Sequence, residues 1–172
     1  MRVSDAEELL SGDPVEVAVE NARRKAQAVD ARSTVPLTSH SEAKRTVILG
    51  VDTVVVLDGA IYGKPADAGE ARATLSQLSG RVHEVVSGLA VVEAGETRTA
   101  SATTRVTFRA LDVAALDWYL ATEEWRERAG GYAIQGRGAA LVAGIDGDYL
   151  NVVGLPVQAL LELLPDILQP GA

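Results

Sequence analysis

The sequence predicts an α/β domain, and three observations carry that prediction. An apolar, β-branched run, VILGVDTVVVL, meets a second extended piece, AIYGKP, across an Asp58-Gly59 turn. Two runs rich in Val and Thr, 82–93 and 97–109, meet in the same way across Ala94-Gly95. Segments with helical periodicity, introduced by Asp or Pro at capping positions, lie before, between and after these hairpins.

In chain order, residues 1–12 are acidic and aperiodic, with Asp5, Glu7 and Glu8 clustered, which reads as a solvated face. Asp13-Pro14 opens a helix running to about Asp30, with Val15, Val19, Ala22, Ala26 and Val29 as its apolar stripe. Arg23, Arg24 and Lys25 in its C-terminal half suit the helix dipole. Ala31 to Arg45 is a polar connection. The central hairpin, 47–65, carries Asp52-Thr53 in the middle of its apolar strand and Lys64 just before Pro65. Asp67 introduces a second helix that Gly80 ends, and the second hairpin follows with His83 in its first strand, a position suited to a structural histidine. Asp112 caps VAALDWYLATEEW, with Leu116, Tyr119 and Leu120 facing inward. Five of the sixteen glycines fall between Gly130 and Gly144, beside Gln135 and Arg137, and so many permissive positions suggest a close approach to a ligand. Ile145 to Tyr149 reads as a hairpin turn between two strands, and Pro156 starts a final helix, VQALLELLPDIL.

The 172 residues suit a single domain with its own core. With 24 Asp and Glu against 16 Lys and Arg, nonspecific binding to nucleic acid or an anionic membrane is disfavoured. The chain has no Cys and only two His, so disulfides and thiolate metal sites are excluded and a hard cation such as magnesium fits the ligand supply best. No apolar run reaches the length of a membrane span, the N-terminus lacks a signal peptide's apolar core, and a cytoplasmic location is expected. A carboxylate in a buried strand needs a partner, so Asp52 calls for a metal ion, a lysine or a bound substrate, with Lys64 the nearest candidate; an edge Asp bonded to backbone is the plainer alternative. Neither a dinucleotide fingerprint nor a Walker motif occurs.

The order of segments goes further. GVDTVVVLDGAIYGKPADAGEARATLSQLSGRVHEVVSGLAVV, TTRVTFR and AGGYAIQGRGAALVAGIDGDYLNVVGLPV together resemble the Maf family of nucleoside triphosphate pyrophosphatases. The resemblance spans about Val3 to Leu164. It implies an α/β fold with a mixed β-sheet and flanking helices, two lobes around a cleft, related to the inosine-triphosphate pyrophosphatases. It also implies hydrolysis between the α and β phosphates of a nucleoside triphosphate, with a divalent metal, magnesium or manganese. By the same resemblance Asp52 corresponds to the general base, with a further role at the metal, and Glu8 to a metal-associated carboxylate. Thr53 and Gln135 match positions linked to substrate choice, while Lys64 and Lys25 match cations that line the phosphate site, which replaces the dipole reading of Lys25. IQG preceded by AGGYA resembles the branch acting on dTTP and UTP rather than the 7-methyl-GTP branch, which usually carries Glu at the position of Gln135.

Ser87 stands where Thr is usual, and Glu123 where Gly is usual. The family's N-terminal strand and its SxSPRR loop have no counterpart before Val3, so a start upstream of Met1 or a shortened protein is expected. Two other functions stay open beside the pyrimidine enzyme, which the family links to nucleotide-pool housecleaning and arrest of cell division. One is a noncatalytic nucleotide-binding or regulatory module; the other is a purine enzyme of the inosine-triphosphate type. The resemblance leaves both a monomer and the homodimer common in the family open.

Overall fold

The computed structural model describes residues 8–9, 11–31 and 47–169. Most of the polar connection, and Asp5 and Glu7 of the acidic cluster, lie outside them. Helix α1 (Pro14–Ala31) is followed by strand β1 (Val47–Leu57), β2 (Ala60–Tyr62), α2 (Ala68–Leu78), β3 (Val82–Glu93), β4 (Glu96–Phe108), α3 (Val113–Leu120), β5 (Val142–Asp146), α4 (Tyr149–Val153) and α5 (Val157–Leu163). The expected α/β architecture with flanking helices is therefore present. The strands form one five-stranded sheet in the order β2-β1-β3-β4-β5, and each ladder among the described residues is antiparallel. No helix among the described residues is long and apolar enough to cross a membrane.

The local signals act as their chemistry predicts. Asp13 Oδ1 accepts from the backbone N–H groups of Val15 and Glu16 at 3.0 and 3.1 Å, and Asp67 and Asp112 cap α2 and α3 in the same way. Asp58 (φ 52°) and Gly59 (φ 78°) both take the left-handed conformation that a tight hairpin turn needs. Pro165, beyond α5, cannot continue a helix, so the final helix ends at Leu163, earlier than its apolar pattern suggested. Helix α3 likewise stops at Leu120, because Glu123 turns to φ 58° and Trp125 folds back, its indole N–H donating to the Leu120 carbonyl.

The turn expected at 145–149 also departs from its reading. Residues 145–149 do not join two strands: β5 ends at Asp146, and Asp148 caps α4 by accepting from the Leu150 N–H at 2.8 Å. Thr104 Oγ1 accepts from the Asp148 N–H and donates to its carbonyl, both at 3.1 Å, which fixes the cap against β4 and outweighs the turn chemistry of Asp-Gly.

The sheet is covered on both faces. Val55, Leu57, Val85, Val106 and Phe108 look toward α2, α3 and the segment around Tyr132. Val54, Val56, Val86, Ala90 and Val92 look toward α1. Of the predicted stripe, Val15 is exposed and Val19 and Val29 are only partly buried, whereas Ala22 and Ala26 are fully buried on the inner face of α1, where Ala18 joins them. These small residues lie against Gly50 of β1 and Gly88 of β3, where a Cβ would overlap the helix backbone at Ala22 and Ala18. Small side chains on both sides bring the axis of α1 close to the sheet, so its polar residues reach the strands.

His83 is a core residue, as its position in the strand suggested. It is 1% exposed, sits edge-on to Phe108 and Tyr132, and its Nε2 lies 2.9 Å from the Tyr132 hydroxyl. Burial pushes its pKa down to about 4 from 6.5. Because the unfolded chain takes up this proton near 6.5 and the folded chain only near 4, stability contributed by neutral His83 is lost as pH falls through that window. Between pH 7 and 4 the expected loss is about 3 kcal/mol. Urea unfolding of wild type and His83→Gln should show a shallower acid decline in the variant; equal slopes would remove His83 from the account.

Candidate active site

Asp52 comes from the middle of β1, opposite Gly88 of β3, on the face that α1 covers. It is 7% exposed, and both of its oxygens are engaged. Lys25 Nζ lies 2.5 Å from Oδ1, and Asn21 Nδ2 donates to Oδ2 at 3.0 Å. Asn21 and Lys25 stand four residues apart on α1 and so share a face of the helix. Lys25 Nζ also lies 2.6 Å from Glu8 Oε1, so one ammonium joins two carboxylates.

The electrostatics follow from that contact. Burial raises the Glu8 carboxyl, but the hydrogen bond and charge of Lys25, with the charge of Lys64, outweigh it and leave the pKa below the ordinary value. Burial likewise lowers Lys25, and its hydrogen bonds to Asp52 and Glu8 reverse the sign, so the ammonium is held more firmly than usual.

These groups open onto a cleft lined by Lys25, Asp52, Thr53, Lys64, Arg128 and Tyr132, with Val152 to Gly154 of the α4 end completing the wall. Thr53 points to the opposite face of β1 from Asp52, and its Oγ1 lies 2.8 Å from Ser87 Oγ on the neighbouring strand. Lys64 is half-exposed beyond β2, 3.9 Å from the exposed Glu127 carboxylate. The structure thus brings Glu8, Lys25 and Asp52 into contact and adds Thr53 and Lys64 to the same cleft. The lysine at Asp52 is Lys25, not Lys64, the candidate nearest in sequence. Gln135 is exposed on a turn and is not among the residues lining the cleft.

Four contributors went unread at the level of sequence. Asn21 carried a signal, an amide one helical turn before Lys25. Glu127 and Arg128 were visible as a charged pair entering the glycine-rich run, and Glu127 takes φ 57° there. Tyr132 entered only as part of AGGYA, and nothing local placed its ring in the wall, where its hydroxyl lies 2.9 Å from His83 Nε2.

Among the described residues, Glu8 and Asp52 converge on one ammonium and so are carboxylates able to share a cation here. Among the described residues no group of three or more His, Asp or Glu gathers. That donor set fits a hard divalent ion completing its shell with oxygens of a bound substrate and water. Chemically, the cleft offers one buried, oriented carboxylate and several cations, a combination suited to a polyanion attacked by water.

Sequence comparison gives the same direction. A family model described as Maf-like protein matches residues 1–167. A dTTP/UTP pyrophosphatase of Pyrococcus furiosus is 44% identical over 152 residues, covering 88% of this chain and 75% of the relative. One of Thermococcus gammatolerans is 46% identical over 160 residues, covering 93% and 80%. One of Symbiobacterium thermophilum is 44% identical over 151 residues, covering 88% and 73%.

Proposed function

The chain belongs to the Maf family, and on that premise we propose that it hydrolyses dTTP and UTP to the nucleoside monophosphate and pyrophosphate, in the cytoplasm. The observation that supports this most directly is the Lys25 ammonium held between Asp52 and Glu8 at a cleft that also carries Lys64. A triphosphate brings roughly four negative charges, and attack by water on phosphorus needs that charge neutralised and the leaving group stabilised.

In this reading Asp52 orients the attacking water and takes its proton, a role suited to a carboxylate fixed from both sides. Lys25 and Lys64 neutralise the phosphates, and Arg128 adds charge along the same wall. Glu8 and Asp52 would hold a divalent ion, magnesium or manganese, which when bound neutralises phosphate charge and lowers the pKa of coordinated water. Thr53, in the cleft beside Asp52, is where we place substrate discrimination. Gln135 has the donor and acceptor that a pyrimidine edge requires, but its exposure outside the cleft lining leaves it the weaker specificity candidate.

The test is product identity. Incubated with UTP and magnesium, the protein is expected to yield UMP and pyrophosphate in equal amounts. UDP with inorganic phosphate would contradict the proposed bond, and nucleotide binding without turnover would contradict the enzyme.

A further inference from the structure

Asn21 is 2% exposed and makes three hydrogen bonds that leave none of its amide groups idle. Its Oδ1 accepts from the Leu9 backbone N–H at 2.7 Å, which fixes the orientation of the amide. Nδ2 then spends one proton on the Leu9 carbonyl and the other on Asp52 Oδ2, each at 3.0 Å. The side chain therefore pairs with Leu9 as a neighbouring strand would, while gripping the oxygen of Asp52 that Lys25 leaves free. Glu8 precedes Leu9 directly, so the same clip sets where Glu8 stands when it reaches Lys25.

We propose that Asn21 is a positioning residue that fastens the Glu8-Leu9 backbone to Asp52 and so holds both carboxylates in working register around Lys25. Its effect on turnover rests on the pyrophosphatase reading; the clip itself does not. Asn21→Ala removes all three bonds. Asn21→Asp keeps an acceptor for the Leu9 N–H but loses both donors and sets a third carboxylate against Asp52.

The experiment combines amide hydrogen exchange read by mass spectrometry with steady-state kinetics on UTP, using the whole chain. In Asn21→Ala, protection of the Leu9 amide should fall at least about tenfold while β1 and β3 keep theirs. The value of kcat should fall about 30-fold with KM changed less than about threefold, and Asn21→Asp should fall further. Unchanged Leu9 protection overturns the proposal, as does protection lost equally from Leu9, β1 and β3, which marks a residue of general stability. So does an unchanged kcat once the Leu9 bonds are gone. If wild type releases no pyrophosphate from any nucleoside triphosphate, the pyrophosphatase reading fails by itself. The exchange contrast then decides: loss confined to Leu9 upholds the clip, and no loss overturns it.

Discussion

Lys25→Met is expected to destabilise the protein by about 3 kcal/mol at neutral pH and to abolish turnover, because it leaves two carboxylates facing each other with their shared ammonium gone. For a domain of this size that loss lowers Tm by roughly 10 °C. The pH dependence follows from the direction of each shift. Glu8 lies below its ordinary 4.5, so its contribution is present above that value and lost as pH falls through the folded-state pKa. Lys25 lies above its ordinary 10.5, so its contribution is present below that value and lost as pH rises through the folded-state pKa. The deficit of Lys25→Met should therefore be level across the neutral range and shrink at both ends. Adding Asp52→Asn to Lys25→Met removes the uncompensated buried charge, so urea unfolding should show the double variant more stable than the single one, although equally inactive. A double variant no more stable than Lys25→Met would mean that the ion pair contributes little to the fold.

Gly88→Ala is the second large effect, expected to cost about 3 kcal/mol or more, since the added Cβ meets helix backbone at Ala18 and Val19 and not a side chain that can turn away. If α1 lifts from the sheet to admit the methyl group, Lys25 and Asn21 leave Asp52, so activity should fall even in the fraction that stays folded. Gly144→Ala is the matched control. Nothing lies within 4 Å of a Cβ there, and its cost should stay within about 0.5 kcal/mol. Thermal unfolding and dTTP hydrolysis of the two variants side by side check the contrast; equal midpoints would show that the close helix contact is not tight.

That contact also explains what could be read from the residues alone. Signals that act within a few residues were legible: Asp13, Asp67 and Asp112 as caps, Asp58-Gly59 and Ala94-Gly95 as turns, and the apolar runs of β1 and β3. The approach of α1 was not, because it depends on glycines far away in the chain meeting alanines on the helix; Ala22 and Ala26 were legible as apolar positions, but Ala18 and the closeness of the contact were not. For the same reason residue properties alone assigned Lys25 to the helix dipole and Lys64 to Asp52, and only the likeness of whole segments to a family pointed to Lys25. Asp146-Gly147-Asp148 shows the limit of turn chemistry, since a cap anchored by Thr104 prevailed over a hairpin. In the cleft, Asp52 and Thr53 of β1 were residues that sequence had singled out, whereas the contacts of Asn21 with Leu9 and Asp52, and of Tyr132 with His83, join segments far apart in the chain.

The most direct test of the active-site assignment is pyrophosphate release from dTTP by wild type and Asp52→Asn, with magnesium present and thermal midpoints measured in parallel. The account predicts a fall in kcat of about a thousandfold or more in a variant that stays folded. Wild-type rates in folded Asp52→Asn would show that the carboxylate held by Lys25 and Asn21 is not the base, and the reaction would have to be placed elsewhere in the cleft.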